Sequence, residues 1–303
     1  MTSLSSQRST RQTFLIGLAI AVTGAILFST KGIVAKLIYR YPVDAVTLIG
    51  FRMMFSAPFF VAVAVWQAKI SKPLAAGDRL RIVFMGLLGY YLSSFLDFIG
   101  LQYITTGLER LLMFLTPTFV LLISIFYFKK KISRPEWLAL GISYLGIVFV
   151  FIHEARIGGA NVLLGSLFVL GSAVTYAIYL LMSGALVQRV GAIRLVAYAM
   201  CVSSVACIMQ FFLLRPVSTL VQPFPVYGLS IFNAIVSTVL PVFMTMIAVS
   251  RIGPATTSQA AMIGPVSTLF MGAVLLDEPV TVIQLAGTAL VLCGIYLLSK
   301  KKI

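Results

Sequence analysis

Long apolar runs alternate with short polar links along nearly the whole chain. Crossing roughly 30 Å of hydrocarbon takes about 20 mostly apolar residues at about 1.5 Å each, and the runs are of that order. They predict helices near 14–37, 43–66, 80–102, 105–128, 135–153, 163–186, 194–214, 226–250, 255–276 and 280–299. Helix is the expected form, because a backbone facing lipid must satisfy its own polar groups. A barrel would need alternating segments of about ten residues, and these runs do not alternate. The predicted fold class is an all-α integral membrane protein with ten transmembrane helices.

The pattern also repeats. A shift of 148 residues, without a gap, lays Gly17 on Gly165, Ala25 on Ala173, Ile104 on Ile252, Pro117 on Pro265 and Gly146 on Gly294. Each half then holds five helices, so the second copy enters the membrane upside down. Residues 1–148 and 149–303 are the expected inverted repeats, an arrangement found in secondary transporters.

Composition agrees. The chain is 60% hydrophobic and 10% charged, against about 45–50% and about 25% in soluble domains. The net charge of +15 does not point to nucleic acid. Its basic residues are scattered over the short links, as orientation signals are. With the N-terminus in the cytoplasm, 16 Lys and Arg fall on inside segments and only Lys36, Arg40, Arg156 and Arg215 outside. Both termini are expected in the cytoplasm and the protein in the cell (inner) membrane. The first apolar run, from Phe14, resembles a signal peptide but lacks a small-residue cleavage site, so it reads as a retained helix. Cys201, Cys207 and Cys293 lie in apolar runs without a CxxC pair and read as packing residues.

Three segments carry a family resemblance: IGLQYITTGLERLLMFLTP (99–117), IAVSRIGPATTSQAAMIGP (247–265) and LLDEPVTVIQLAGTALVLCGI (275–295). The chain resembles the EamA family of the drug/metabolite transporter superfamily over essentially its whole length. The resemblance implies five plus five helices, a central cavity between the halves and alternating access. It implies a substrate among amino acids, nucleosides, vitamins or small drugs, often moved outward. The first copy departs from the pattern, with Lys129–Lys131 where the second has the acidic turn Asp277-Glu278.

Candidate chemistry lies in the charges inside helices. Lys31, Arg52, Asp97, Glu109 and Arg110 would cost on the order of 12–18 kcal/mol together if they faced lipid. They are therefore expected to face protein, water or each other, in the outer half of the membrane. Glu109 and Arg110 point about 100° apart on one helix and are not expected to pair. Arg52 reads as structural. Phe28 and Lys31 share a helical face, with Tyr176 and Tyr179 as repeat counterparts. Tyr90, Ser94 and Asp97 share another, with Thr238, Val242 and Thr245 as counterparts. Such stripes suit a cavity wall, although close packing gives the same pattern. Pro117 and Pro265, near the middle of the fourth and ninth predicted helices, are candidates for helix breaks that free a carbonyl. His153 reads as interfacial.

Motifs for ATP-driven or metal chemistry (GxxxxGK[ST], HExxH) are absent, and no cofactor or metal is expected. The expected function is secondary transport of a small polar metabolite, amino-acid-like as the first choice, with protons as a candidate coupling ion. Another solute such as a nucleoside, vitamin or drug is the alternative, ahead of a membrane-embedded enzyme or sensor. The charge bias predicts that an impermeant reagent on intact cells labels a single cysteine at position 277. Labelling at position 130 but not at 277 would sink the topology.

Overall fold

The computed structural model describes residues 2–128, 134–158, 160–261 and 263–300. Lys129–Lys131 lie outside the described residues. Every element among the described residues is helical. The first two predicted helices are α1 (Thr2–Ile38) and α2 (Ala45–Ile70). The third is one rod made of α3 (Ala76–Met85), a π-helical stretch (Gly86–Leu92) and α4 (Ser93–Gly100). The fourth divides into α5 (Thr106–Met113) and α6 (Thr116–Phe128). Then come α7 (Arg134–Gly158), α8 (Ala160–Val190) and α9 (Ala192–Leu214). The eighth again contains a π-helical stretch, Ile235–Val239, between α10 (Phe224–Ala234) and α11 (Leu240–Ala260). Last are α12 (Ile263–Leu276) and α13 (Val282–Lys300).

Among the described residues, seven helical stretches are long and apolar enough to cross a membrane: 12–38, 45–70, 76–100, 106–126, 161–183, 192–214 and 224–248. Three further apolar stretches are shorter: Tyr144–His153, Ile263–Leu276 and Val282–Gly294. Large apolar side chains such as Leu15, Trp66, Phe149 and Phe270 are exposed. Lipid, not water, is the solvent that makes such a surface favourable.

Two sequence expectations need correction. The eighth helix does not stop before Gly253-Pro254; α11 runs through to Ala260. Membrane helices tolerate proline when neighbouring helices and local backbone adjustment compensate for the lost bond. Second, Pro117 and Pro265 do not lie mid-helix. Pro117 is the second residue of α6 and Pro265 the third of α12. A first-turn N–H has no intrahelical partner to lose, so proline starts these helices instead of kinking them. The helix is interrupted just before each proline, at Phe114-Leu115 and at Ala261.

Packing follows the 148-residue offset with the copies exchanged. Helix α1 packs on α11 and α12, while α8 packs on α4, α5 and α6; α2 meets α9, and α7 meets α13. A Cβ on Gly17 would meet Arg251 and Ile252, and one on Gly165 would meet Tyr103 and Ile104, the same neighbours 148 residues earlier. Backbones also come close where α7 crosses α13. There a Cβ on Gly146 would sit 2.6 Å from the Gly287 carbonyl oxygen. Helix α8 joins α9 through Gly191 alone, at φ 85°, a region that glycine enters without steric cost.

The link between α1 and α2 is pinned by Asp44. Its carboxylate caps α2 by accepting from the Thr47 N–H at 3.1 Å and pairs with Arg215 at the end of α9. Burial pushes the Asp44 carboxyl up, but the Arg215 and Thr47 hydrogen bonds outweigh it and hold the group below its ordinary value of 3.8. Because the folded-state value is depressed, the stabilisation is present above 3.8 and is lost as pH falls through the folded value. Asp44→Ala should lower stability by about 1 kcal/mol, the worth of a cap; the half-exposed ion pair adds little. The difference in melting temperature from wild type should stay constant from about pH 5 to pH 8 and close only in stronger acid. A difference that vanishes near neutrality would contradict this account.

Candidate functional site

The two π-helical stretches set the site. A π turn inserts a residue, widens the helix and re-aims side chains, and it occurs often at functional sites. Tyr90 lies in the first stretch and Thr238, its counterpart, in the second. The Thr238 hydroxyl donates to the Asn233 carbonyl at 2.9 Å and accepts from Arg52 Nε at 2.8 Å.

Lys31, Asp97 and Glu109 come together from α1, α4 and α5. Lys31 Nζ is 2.5 Å from Asp97 Oδ2 and 4.0 Å from Glu109 Oε1. The three residues are buried, with 5%, 1% and 0% of their surface exposed. One ammonium therefore faces two carboxylates. Asp97 Oδ1 and both Glu109 oxygens have no hydrogen-bond partner among the described residues.

Two aromatic rings separate this ammonium from two guanidiniums. Arg52 Cζ lies 5.1 Å from the Phe98 ring and Lys31 Nζ 5.5 Å from the same ring. Lys31 Nζ is 5.3 Å from the Phe28 ring, and Arg110 Cζ is 5.5 Å from it. Ring faces attract cations at such distances, so cations and rings alternate. Arg110 also donates from Nε to Thr268 Oγ1 at 3.2 Å and from Nη2 to the Phe28 carbonyl at 3.3 Å. A tyrosine group adds to the polar set. Tyr90 and Tyr179 hydroxyls are 3.0 Å apart, and the Tyr176 and Tyr179 rings stack at 5.5 Å.

These groups surround an interior cavity of about 460 Å³. Of the sequence candidates, Phe28, Lys31, Tyr90, Ser94, Asp97, Arg110, Tyr176, Thr238 and Thr245 line it. Glu109 and Tyr179 stand outside the lining, Glu109 near Lys31 and Tyr179 against Tyr90. Pro265 does not line the cavity, although its neighbour Gly264 does. A larger groove of about 770 Å³, lined by Val83, Leu87, Val205 and Met209 among others, has no charged lining residue. The interior cavity is therefore the candidate solute site.

Arg52, read from the sequence as structural and left out of the binding candidates, also belongs to the wall. It is 4% exposed and lines the cavity, so it does not reach for the membrane surface. The repeat carried the missing signal. Its counterpart 148 residues on, Met200, lines the cavity too, as do the pairs Phe28 with Tyr176, Tyr90 with Thr238, Ser94 with Val242 and Asp97 with Thr245. Several wall positions thus come in pairs, yet all four charged lining residues, Lys31, Arg52, Asp97 and Arg110, belong to the first copy.

The family model of EamA-like transporters matches residues 15–152 and again 163–300, displaced by the same 148 residues. The chain belongs to the EamA-like transporter family. Membership explains the two-copy architecture and makes the protein a membrane transporter of this kind, in a multi-pass location. Curated relatives carry transporter names, not enzyme names. The uncharacterized transporter YcbK of Bacillus subtilis (strain 168) is 28% identical over 278 residues, 89% of this chain and 88% of that one. An uncharacterized transporter of Archaeoglobus fulgidus is 26% identical over 283 residues, 90% of this chain and 99% of that one. A solved crystal structure superposes with TM-score 0.65 at 17% identity, covering 93% of this chain and 95% of that one. At that identity it speaks for the fold alone.

Removing Lys31 from this EamA-like site should leave two buried carboxylates without their shared cation. Lys31→Met should destabilise the purified protein by about 3–5 kcal/mol, the usual result of breaking a buried pair from one side. Adding Asp97→Asn to Lys31→Met should restore part of that loss. A double variant no more stable than Lys31→Met in thermal unfolding would contradict the shared-charge arrangement.

Proposed function

We propose that the protein is a secondary transporter that moves a small polar metabolite, amino-acid-like as the first choice, by alternating access. In this reading ten helices cross the cell (inner) membrane as two inverted copies, 1–148 and 149–303, with both termini in the cytoplasm. The observation that carries it is the cavity lined by both copies, paired at several positions and one-sided in charge. Inverted copies can exchange conformations, so that one central site opens to one face and then the other. The volume of about 460 Å³ suits a small metabolite, since ligand cavities run from about 300 to 1,000 Å³. Nucleosides, vitamins and small drugs of that size are the alternative cargo, and outward movement is the direction the family resemblance favours.

Protons are the proposed coupling ion, and Asp97 is favoured over Glu109 as the coupling carboxylate. Asp97 faces the cavity, while Glu109 stands behind it. Asp97 and Glu109 share one ammonium there, and the charge balance of that trio is what a coupling proton would act on. Opening the site to water changes the balance. The test is flux of a metabolite panel into vesicles holding the purified protein, with and without a pH gradient. Asp97→Asn protein should still exchange solute down its gradient but lose uphill accumulation. Normal pH-driven accumulation by well-expressed Asp97→Asn protein would refute the coupling role, and absence of flux for every solute would refute transport of this substrate class.

A further inference from the structure

The charges on the cavity wall do not balance. Lys31, Arg52 and Arg110 face the cavity with one carboxylate, Asp97, and Lys31 already pairs with it. Counting Glu109 behind the wall still leaves three cations to two carboxylates. Among the described residues neither arginine has a carboxylate within 4.0 Å. Arg110 is held by a hydroxyl, a carbonyl and a ring. Arg52 is held less completely. Nε is taken by Thr238 and the guanidinium carbon rests over Phe98, but Nη1 is buried with no hydrogen-bond partner among the described residues. A buried cation without an anion is unfavourable unless a ligand supplies the missing charge.

We propose that the cavity takes its substrate as a carboxylate, with the under-satisfied Arg52 guanidinium as the anchoring group. The inference rests on the transport reading and narrows it: the substrate's carboxylate is required, and an amino group is not. Guanidinium geometry favours a planar carboxylate, which takes two parallel N–H donors from one fork. The pose of Arg52 is fixed by both Thr238 and Phe98, so little freedom is lost on binding. Phe28 and Tyr176, the paired aromatics of the wall, flank the organic part. Met200, the counterpart of Arg52, offers no such donor, so the anchor exists on one side of the cavity only.

The test uses purified full-length protein in detergent and two probe sets. One is L-phenylalanine, L-phenylalaninamide and 3-phenylpropionate; the other is L-leucine, L-leucinamide and 4-methylpentanoate. Inorganic phosphate is added as a competing anion, and affinity is read from ligand-induced thermal shifts. In at least one set both acids should bind, and the amide should bind about tenfold or more weakly, since a site built to hold a polar group rejects the analogue lacking it. Arg52→Gln should abolish that preference, and Arg52→Lys should restore part of it. An amide that binds as well as its acid, phosphate binding without either acid, or no binding by any carboxylate overturns the proposal. So does Arg52→Gln protein of wild-type melting temperature that binds the acids as wild type does. If Arg52→Gln does not fold, the acid-to-amide comparison on wild type decides. Binding of acids without flux would keep this assignment and remove the transport reading. Flux confined to solutes lacking a carboxylate would do the reverse.

Discussion

One ammonium shared by two carboxylates, deep among apolar helices, fixes how α1, α4 and α5 meet. None of Lys31, Asp97 and Glu109 is stable there alone, because a lone charge taken out of water costs far more than a pair. The surroundings are built around that contact. Gly32, next to Lys31, faces α5: a Cβ there would be in ordinary contact with Glu109 Oε2, at 3.5 Å. Helix α5 begins with a Thr105 cap, whose hydroxyl accepts from the Leu108 N–H at 3.2 Å. Glu278 then reaches over from the link after α12 and accepts from the Thr106 N–H at 3.1 Å and from its hydroxyl at 2.7 Å. The first copy's charge cluster is thereby tied to the second copy through an acidic residue at a helix N-terminus, where negative charge is favoured.

Shape and chemistry follow different rules in this molecule. Shape obeys the repeat: π-helical stretches, helix interruptions, close glycine crossings and several wall positions recur 148 residues apart. Chemistry does not. Where the first copy has Lys31, Arg52, Asp97, Glu109 and Arg110, the second has Tyr179, Met200, Thr245, Thr257 and Ser258. The frame is repeated, while the charges that line the cavity come from the first copy alone.

The sequence made much of this legible, for reasons that can be located. Helical class and the order of the elements followed from run lengths, because a spanning helix writes its length into composition. The stripe Tyr90, Ser94, Asp97 pointed into the cavity as the helical period required. Arg52 was read as structural because spacing along one helix cannot tell a residue that ties helices together from one that also faces a cavity. Thr238, in the second π-helical stretch, holds its Nε, and it lies far away in sequence. The π turns were not legible either. They arise where packing forces an extra residue into a turn, and no local residue pattern at Gly86–Leu92 or Ile235–Val239 announces one. The prolines marked helix breaks, and a break does lie beside each, at Phe114-Leu115 and at Ala261, but on the N-terminal side, so that each proline sits in the first turn of a new helix.

The central claim is that one cavity is reached from both membrane faces in turn. Thr245, the counterpart of Asp97 on the cavity wall, reports on it directly. Thr245→Cys would be placed in a background with Cys201, Cys207 and Cys293 replaced and reconstituted in vesicles of known orientation. A membrane-impermeant thiol reagent would be added to one face and, separately, to the other. Alternating access predicts labelling from both faces. Labelling from a single face under every condition would contradict it.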